Sequence, residues 1–434
     1  EPSIVVKTLS AFSQKVEASP AEFRKRLLLA LIALVLPLSR PLAGLAVFVA
    51  ILHEFFSMAA SLRRGQKPAI RFSAPLKVSM LLFAFYFASL FYADDFIFSW
   101  HKLETRLCLL FCPLLFGLNY SPSAGRYIPK AFILGNLLAV LYSLGAAGLE
   151  TFSTGVNHFH YMKLSAYLHL HPTVFSLYLF VSLFFLLDEW AQSGEFKWKP
   201  LLPRLAVAIL FLVFILLLSA RMAMMSGFLL LGIYLFRLLY VRKGFLQSFG
   251  WMLLALTLSS AAAWSIPSTR YRLQVLLQGE ERGKQAPNVR WEIWDAATQL
   301  AAKAPLWGYG LGDVDTLLVN KYEELDYCKP YGERYNAHNQ FLQTLLATGW
   351  PGLLVFLCML FLGFRRHFPK GRTNSPAQQG ETFGRQQAFK SPGQLPALFF
   401  MLLLTINFST ESLLETQQSL IFFSFFYSYF TFSD

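Results

Sequence analysis

Apolar residues in this chain recur in runs long enough to cross a lipid bilayer. A helical crossing needs about 20 mostly apolar residues. Twelve stretches qualify as candidate spans: 26–39, 41–60, 76–93, 97–118, 130–149, 167–188, 203–219, 222–241, 246–265, 338–364, 394–410 and 413–431. The first and seventh are short. The seventh and eighth form one apolar stretch of about 40 residues, interrupted only by Ser219, Ala220 and Arg221. No straight helix of that length fits a bilayer of about 30 Å, so a turn is expected at `SAR`. The predicted fold is an all-α polytopic membrane protein of about twelve transmembrane helices.

Composition agrees with that reading. Only 15% of the residues are charged, against roughly 25% in soluble domains, and Phe occurs 44 times. A formal net charge of +13 would suggest nucleic acid in a soluble protein. Here it first suggests the positive-inside rule, and no nucleic-acid partner is expected. With the N-terminus placed in the cytoplasm, 24 of the 38 Lys and Arg fall on the cytoplasmic side, and the short outer loops carry five, Arg40, Lys102, Arg106, Lys163 and Arg221. The other nine lie in the long segment 266–337, and long loops are largely exempt from the rule. Both termini are therefore expected in the cytoplasm and the long segment outside. The polar first 25 residues lack the pattern of a cleavable signal peptide, so the first apolar run is expected to stay as a span.

Three parts follow: a transmembrane bundle over 1–265, an outer loop domain over 266–337, and the last spans over 338–434. In the loop domain, `NVRWEIWDAATQLAAKAPLWGYG` predicts an amphipathic helix ended by Pro305 and a Gly-rich turn. `GYGLGD`, 308–313, fits no phosphate-binding fingerprint and reads as a turn folding the loop back. The stretch 371–393 reads as a flexible cytoplasmic loop. Of the four cysteines only Cys328 falls outside the spans, so no intrachain disulfide is expected; Cys108, Cys112 and Cys358 lie in apolar helices.

Ionisable residues at membrane depth are functional candidates. Arg221 sits in the `SAR` turn on the outer side, where cations are otherwise sparse, and its planar fork of donors suits phosphate. Arg290 opens the amphipathic helix beside Trp291 and Trp294, and Arg270 and Arg272 follow the ninth span. His338 is expected to start the tenth span, with Asn339 next to it. Its ordinary pKa suits a proton acceptor at neutral pH, and the helix N-terminus would favour the neutral imidazole. Asn339 either orients that ring or caps the helix. Two histidine pairs, His158 with His160 and His169 with His171, flank the start of the sixth span on the outer side but lack a carboxylate or cysteine to complete a metal set. They read as interface polar residues or glycan contacts. Asp94 and Asp95 read as a negatively charged loop.

Taken in order, the `SAR` turn, R-W-x-x-W at 290–294, P-L-x-G-x-G-x-G at 305–312 and H-N-x-x-L-x-x-x-x-x-x-G-x-x-G from 338 to 352 resemble the bacterial O-antigen ligases, relatives of O-antigen polymerases and bacterial oligosaccharyltransferases. The resemblance covers about 205–355; the first 200 residues match only in hydropathy. It implies a fold like the GT-C glycosyltransferases in the bacterial inner membrane, with the active site facing the periplasm. It implies transfer of a glycan from undecaprenyl pyrophosphate to a hydroxyl of lipid A–core oligosaccharide, completing lipopolysaccharide, with neither metal nor cofactor. In that frame Arg221 and Arg290, with Arg270 and Arg272, meet the donor pyrophosphate. His338 takes the acceptor proton or positions the hydroxyl, and Asn339, Trp291 and Trp294 support it. One dominant outer loop favours a ligase over a polymerase; no visible soluble extension favours it over a protein O-oligosaccharyltransferase. The lack of repeated halves disfavours a lipid-linked glycan transporter.

Overall fold

The computed structural model describes residues 20–121, 123–192, 198–250, 252, 253, 257, 289–367 and 394–432. Among them every regular element is helical. The first ten helices are α1 (Pro20–Val35), α2 (Arg40–Arg63), α3 (Ala74–Ala88), α4 (Phe96–Arg106), α5 (Cys108–Gly117), α6 (Ile128–Thr154), α7 (Tyr161–Ala166), α8 (Pro172–Gln192), α9 (Trp198–Leu218) and α10 (Arg221–Lys243). Then come α11 (Val289–Lys303), α12 (Asp313–Glu324), α13 (Cys328–Glu333), α14 (Gln340–His367), α15 (Gln394–Phe408) and α16 (Gln417–Phe432).

Among the described residues six helical segments are long and apolar enough to cross a membrane: Arg40–Arg63, Ala74–Phe91, Ile128–Thr154, Pro172–Gln192, Arg221–Tyr240 and Gln340–Arg366. Leu202–Leu218 and Gln394–Phe408 are shorter apolar helices. Large apolar side chains stay open on the outside of the bundle, among them Phe56, Leu149 and Phe152. Exposed apolar surface on that scale would be a liability in water and suits lipid. The molecule is a helical membrane protein, with fewer full-length crossings among the described residues than the twelve the hydropathy predicts.

The differences have local causes. The expected fourth span, 97–118, breaks at Leu107 into α4 and α5. Its first half carries Lys102 and Arg106, and Arg106 turns inward to 1% exposure to meet Glu415. The expected twelfth span starts late: Leu413–Glu415 is a 3-10 turn, and α16 begins at Gln417. Most of the ninth span, Arg270, Arg272, the loop 371–393 and the first part of the 266–337 segment lie outside the described residues. The break between the seventh and eighth spans falls at the `SAR` turn. α9 ends at Leu218, Ser219 takes φ +50, and α10 starts at Arg221.

The core is aromatic. α16 carries Phe422, Phe426 and Phe430 into the centre, where they meet Phe132 of α6, Tyr178 and Phe185 of α8 and Phe400 of α15. Two buried asparagines tie helices together: Asn136 donates to Ser182 at 3.1 Å, and Asn407 to Ser226 at 2.9 Å. At the end carrying α1, buried Lys25 pairs with Glu54 at 3.5 Å and donates to the Leu118 carbonyl, while Asn119 donates to Glu54 at 2.9 Å. The cluster developed below lies at the opposite end.

The Gly-rich turn is hydrogen-bonded to α14. At Gly349 (φ +67, ψ −169) the helix is broken, and Pro351 two residues later has no amide hydrogen to offer. The Leu346 and Ala347 carbonyls lose their helical partners. The turn supplies new ones: Tyr309 N–H donates to Leu346 at 2.7 Å and Gly310 N–H to Ala347 at 3.2 Å, while Trp350 N–H donates back to Leu306 at 3.1 Å. A Cβ on Gly349 would stand 2.0 Å from the Leu306 carbonyl oxygen, and one on Gly308 2.6 Å from the Gly349 nitrogen. The glycines expected to fold a loop back thus form one half of a backbone clasp whose other half is the kink in α14.

Candidate active site

His338 does not start a helix. It precedes Asn339, which caps α14 by accepting from Phe341 N–H at 3.0 Å and Leu342 N–H at 3.1 Å. His338 itself adopts φ +41, a left-handed conformation that costs a non-glycine residue about 1–3 kcal/mol. The surroundings hold it there. His338 N–H donates to Asn336 Oδ1 at 3.0 Å, Asn339 N–H to Ser412 Oγ at 3.2 Å, and Asn339 Nδ2 to the Ser409 carbonyl at 3.2 Å. Gln340 Oε1 accepts from Leu414 N–H at 2.7 Å. So residues 339 and 340 are stitched to the loop between α15 and α16. Asn339 is a cap and a loop anchor rather than a partner of the imidazole.

That loop delivers Glu411, which the sequence reading did not single out. Its Oε1 accepts from Arg290 Nη2 at 2.7 Å, and its Oε2 lies 3.1 Å from His338 Nδ1. Burial works to raise the Glu411 carboxyl. The His338 hydrogen bond and the charges of His338, Arg290 and His171 outweigh it and hold the group below the ordinary glutamate value of 4.5. An ionised carboxylate only accepts, so a neutral imidazole facing it carries its proton on Nδ1 and its lone pair on Nε2. Tyr335 flanks the same ring edge-on at 5.2 Å, and Trp294 Nε1–H donates to the His338 carbonyl at 3.4 Å. Arg290, Trp294 and His338 therefore converge, as α11 packs along the start of α14.

Arg221 heads α10 and is exposed. α10 and α15 run antiparallel, tied by the Asn407–Ser226 bond. Arg221 is five residues before Ser226, and Glu411 four after Asn407. At 1.5 Å per helical residue both stand about one turn or more beyond that bond toward the same end of the bundle. Trp291 is 68% exposed and meets Trp294 edge-on.

The histidine pairs divide. His171 Nδ1 accepts from Thr173 N–H at 3.3 Å at the start of α8. Burial pushes its imidazole pKa down, with Glu411 opposing and His338 adding to the effect, so it belongs to the Glu411 neighbourhood. His158 joins a separate knot with Tyr167 at 3.2 Å and Glu150 at 3.3 Å. His169 takes φ +53 and His160 precedes α7. Among the described residues no three His, Cys, Asp or Glu side chains converge as a metal-ligand set.

A second ionic group braces the first. Glu415, four residues past Glu411, pairs with buried Arg106 and lies 3.5 Å from Lys102, which reaches Asp315 of α12 at 2.7 Å. Lys102 and Arg106, which the charge count assigns to an outer loop, thus tie α4 and α12 to the loop that carries Glu411. Asp94 and Asp95 are structural too: their N–H groups donate to the Asp313 carboxylate at 2.9 and 3.0 Å, and Asp95 caps α4.

Glu411 left a faint trace in the sequence. A carboxylate between two apolar spans, on the side where Arg221, Arg290 and His338 were placed, invites a cationic partner. Those partners lie 121 and 73 residues away along the chain, beyond the reach of any local pattern.

Residues 206–357 match a family model described as O-Antigen ligase. The matched stretch contains Arg221, Arg290 and His338 and the whole Gly-rich clasp. Glu411 lies outside it. No curated protein matches the chain.

Proposed function

We propose that this protein is an O-antigen ligase of the bacterial inner membrane. It moves a glycan from undecaprenyl pyrophosphate to a sugar hydroxyl of lipid A–core oligosaccharide at the periplasmic face, without a metal ion. The observation that carries the reading is the part-buried Glu411 carboxylate shared between a guanidinium, Arg290, and an imidazole, His338.

The chemistry needs two things at one place. An acceptor hydroxyl attacks the anomeric carbon, the bond from that carbon to the pyrophosphate oxygen breaks, and the hydroxyl proton must leave. His338 Nε2 takes the proton, with Glu411 fixing Nδ1–H and stabilising the imidazolium as it forms. Arg290 and Arg221 bind the pyrophosphate and offset the charge that grows on the departing undecaprenyl pyrophosphate. Arg270 and Arg272 are further donor contacts in this proposal. His338 and the two arginines are the catalytic residues; Glu411 is a positioning residue. A single in-line displacement inverts the anomeric carbon.

Purified protein with undecaprenyl-pyrophosphate glycan, chelator and three alternative acceptor conditions tests this. Glycan on lipid A–core, formed about 10²–10⁴ times more slowly by His338→Ala, is the expected result. Lengthened donor would make the protein a polymerase, and a glycosylated pilin-like protein would make it a protein O-oligosaccharyltransferase. Donor binding without transfer to any acceptor would replace catalysis with transport.

A further inference from the structure

A cleft of about 440 Å³ opens between α11 and the start of α14, lined by Trp291, Trp294, Asp295 and Thr298 on one side and Asn339 and Phe341 on the other. We infer that this cleft seats a pyranose ring of the acceptor saccharide, with Trp291 and Trp294 as its platform and Asp295 as acceptor for ring hydroxyls. The inference rests on the ligase reading and adds to it the place where the acceptor binds.

Three observations select this occupant. The first is the wall chemistry. The large, half-open aromatic face of Trp291, 68% exposed, presents the negative side of its quadrupole. The axial C–H groups of a sugar ring carry the complementary partial charge. The second is Asp295. Its Oδ2 accepts from Gln299 at 2.9 Å and from the Tyr327 hydroxyl at 2.8 Å, so it is held rigidly at the cleft wall. A fixed carboxylate repels a pyrophosphate and is a poor neighbour for an isoprenoid chain, whereas sugar hydroxyls donate to it. The third is continuity with the base. Asn339 on the wall follows His338 directly, and Trp294 Nε1–H is bonded to the His338 carbonyl. A ring on this platform lies next to the residue that must receive the acceptor's proton. Arg290 precedes Trp291 at the cleft's edge, pairing with the opposite oxygen of Glu411.

Trp291 is the residue to change, because at 68% exposure its truncation disturbs packing less than that of Trp294. In the transfer assay Trp291→Ala is expected to raise KM for lipid A–core about tenfold, the worth of roughly 1.4 kcal/mol of lost stacking. KM for the donor and kcat at saturating acceptor stay near wild type, and Trp291→Phe restores most of the loss. A rise in donor KM instead, or an unchanged acceptor KM, overturns the inference. A second measurement separates this inference from the ligase reading. Saturation-transfer NMR of core oligosaccharide, freed from lipid A by mild acid, detects binding without turnover. Binding to wild type that is lost in Trp291→Ala supports the cleft even if the wild-type protein transfers nothing. Equal signals for both proteins, or none for either, refute it.

Discussion

Replacing Glu411 by Gln keeps the shape of the side chain and removes its charge. In the native arrangement both carboxylate oxygens accept, one from Arg290 at 2.7 Å and one from His338 Nδ1 at 3.1 Å. An amide has one oxygen. The shorter, charge-assisted bond to Arg290 takes it, and the amide NH₂ then faces His338. A donor at that position is met by an unprotonated Nδ1, so the ring proton moves to Nε2. The nitrogen that must accept the sugar proton is thereby blocked. Positioned base catalysis contributes about 10²–10⁴ in rate, and an Asp→Asn change behind a catalytic histidine costs about 10⁴ through the same tautomer error. The expected fall in kcat is about 10²–10⁴, or roughly 3–5.5 kcal/mol of activation free energy. The assay is steady-state transfer to lipid A–core, with donor KM recorded and melting temperature as a control for folding. Because Glu411 acts through His338, the two losses should not multiply. His338→Ala with Glu411→Gln should be as slow as His338→Ala alone. Activity of Glu411→Gln within about threefold of wild type, or additive losses in the double variant, would refute the role.

Other expectations are as direct. The stabilisation that Glu411 draws from its lowered pKa is fully present above the ordinary glutamate value of 4.5 and is lost as pH falls through the folded-state value; the melting-temperature gap between wild type and Glu411→Gln should therefore hold at neutral pH and close in acid. Arg290→Lys should recover only a small part of the donor binding lost in Arg290→Ala, since an ammonium cannot present a planar fork, and donor KM reads this. Glu415→Gln leaves buried Arg106 without its counter-charge and should cost about 3–5 kcal/mol in thermal or denaturant unfolding. Gly349→Ala meets both a positive φ and a carbonyl 2.0 Å from the new methyl; a loss of about 2–4 kcal/mol, seen as a lower melting temperature, is expected even though no catalytic group is touched.

The parts of the site that were legible in the sequence are those where local chemistry is self-sufficient. The turn at Ser219 had to exist because an uninterrupted apolar stretch was too long for a bilayer, and the chain bends there. The amphipathic pattern after Asn288 gave the length of α11, and Pro305 its limit. His338 was placed at the seam but assigned to the wrong side of the helix cap by two residues, since Asn339 takes the cap and leaves His338 in a left-handed conformation no propensity would suggest. Glu411 and Arg106 were hidden for a different reason. Each is defined by a partner across the bundle, Arg106 by Glu415 at a separation of 309 residues. Hydropathy placed Arg106 within a span and Glu411 in the narrow gap between two spans, while the charge count put Arg106 on an outer loop. A charge that is buried and paired looks the same in the sequence as one that is solvated.

The clasp between residues 306–310 and 346–350 is made by main-chain atoms alone. Such a joint has no preference for any glycan, lipid or acceptor. Its glycines are as necessary to a chain that polymerises sugars as to one that delivers them to a lipid, because what they satisfy is the geometry of a broken helix. The most recognisable signature in the chain is thus a statement about carpentry. If the cleft beside α11 seats the acceptor, as inferred above, the choice of acceptor rests instead on side chains, Trp291 and Trp294 foremost.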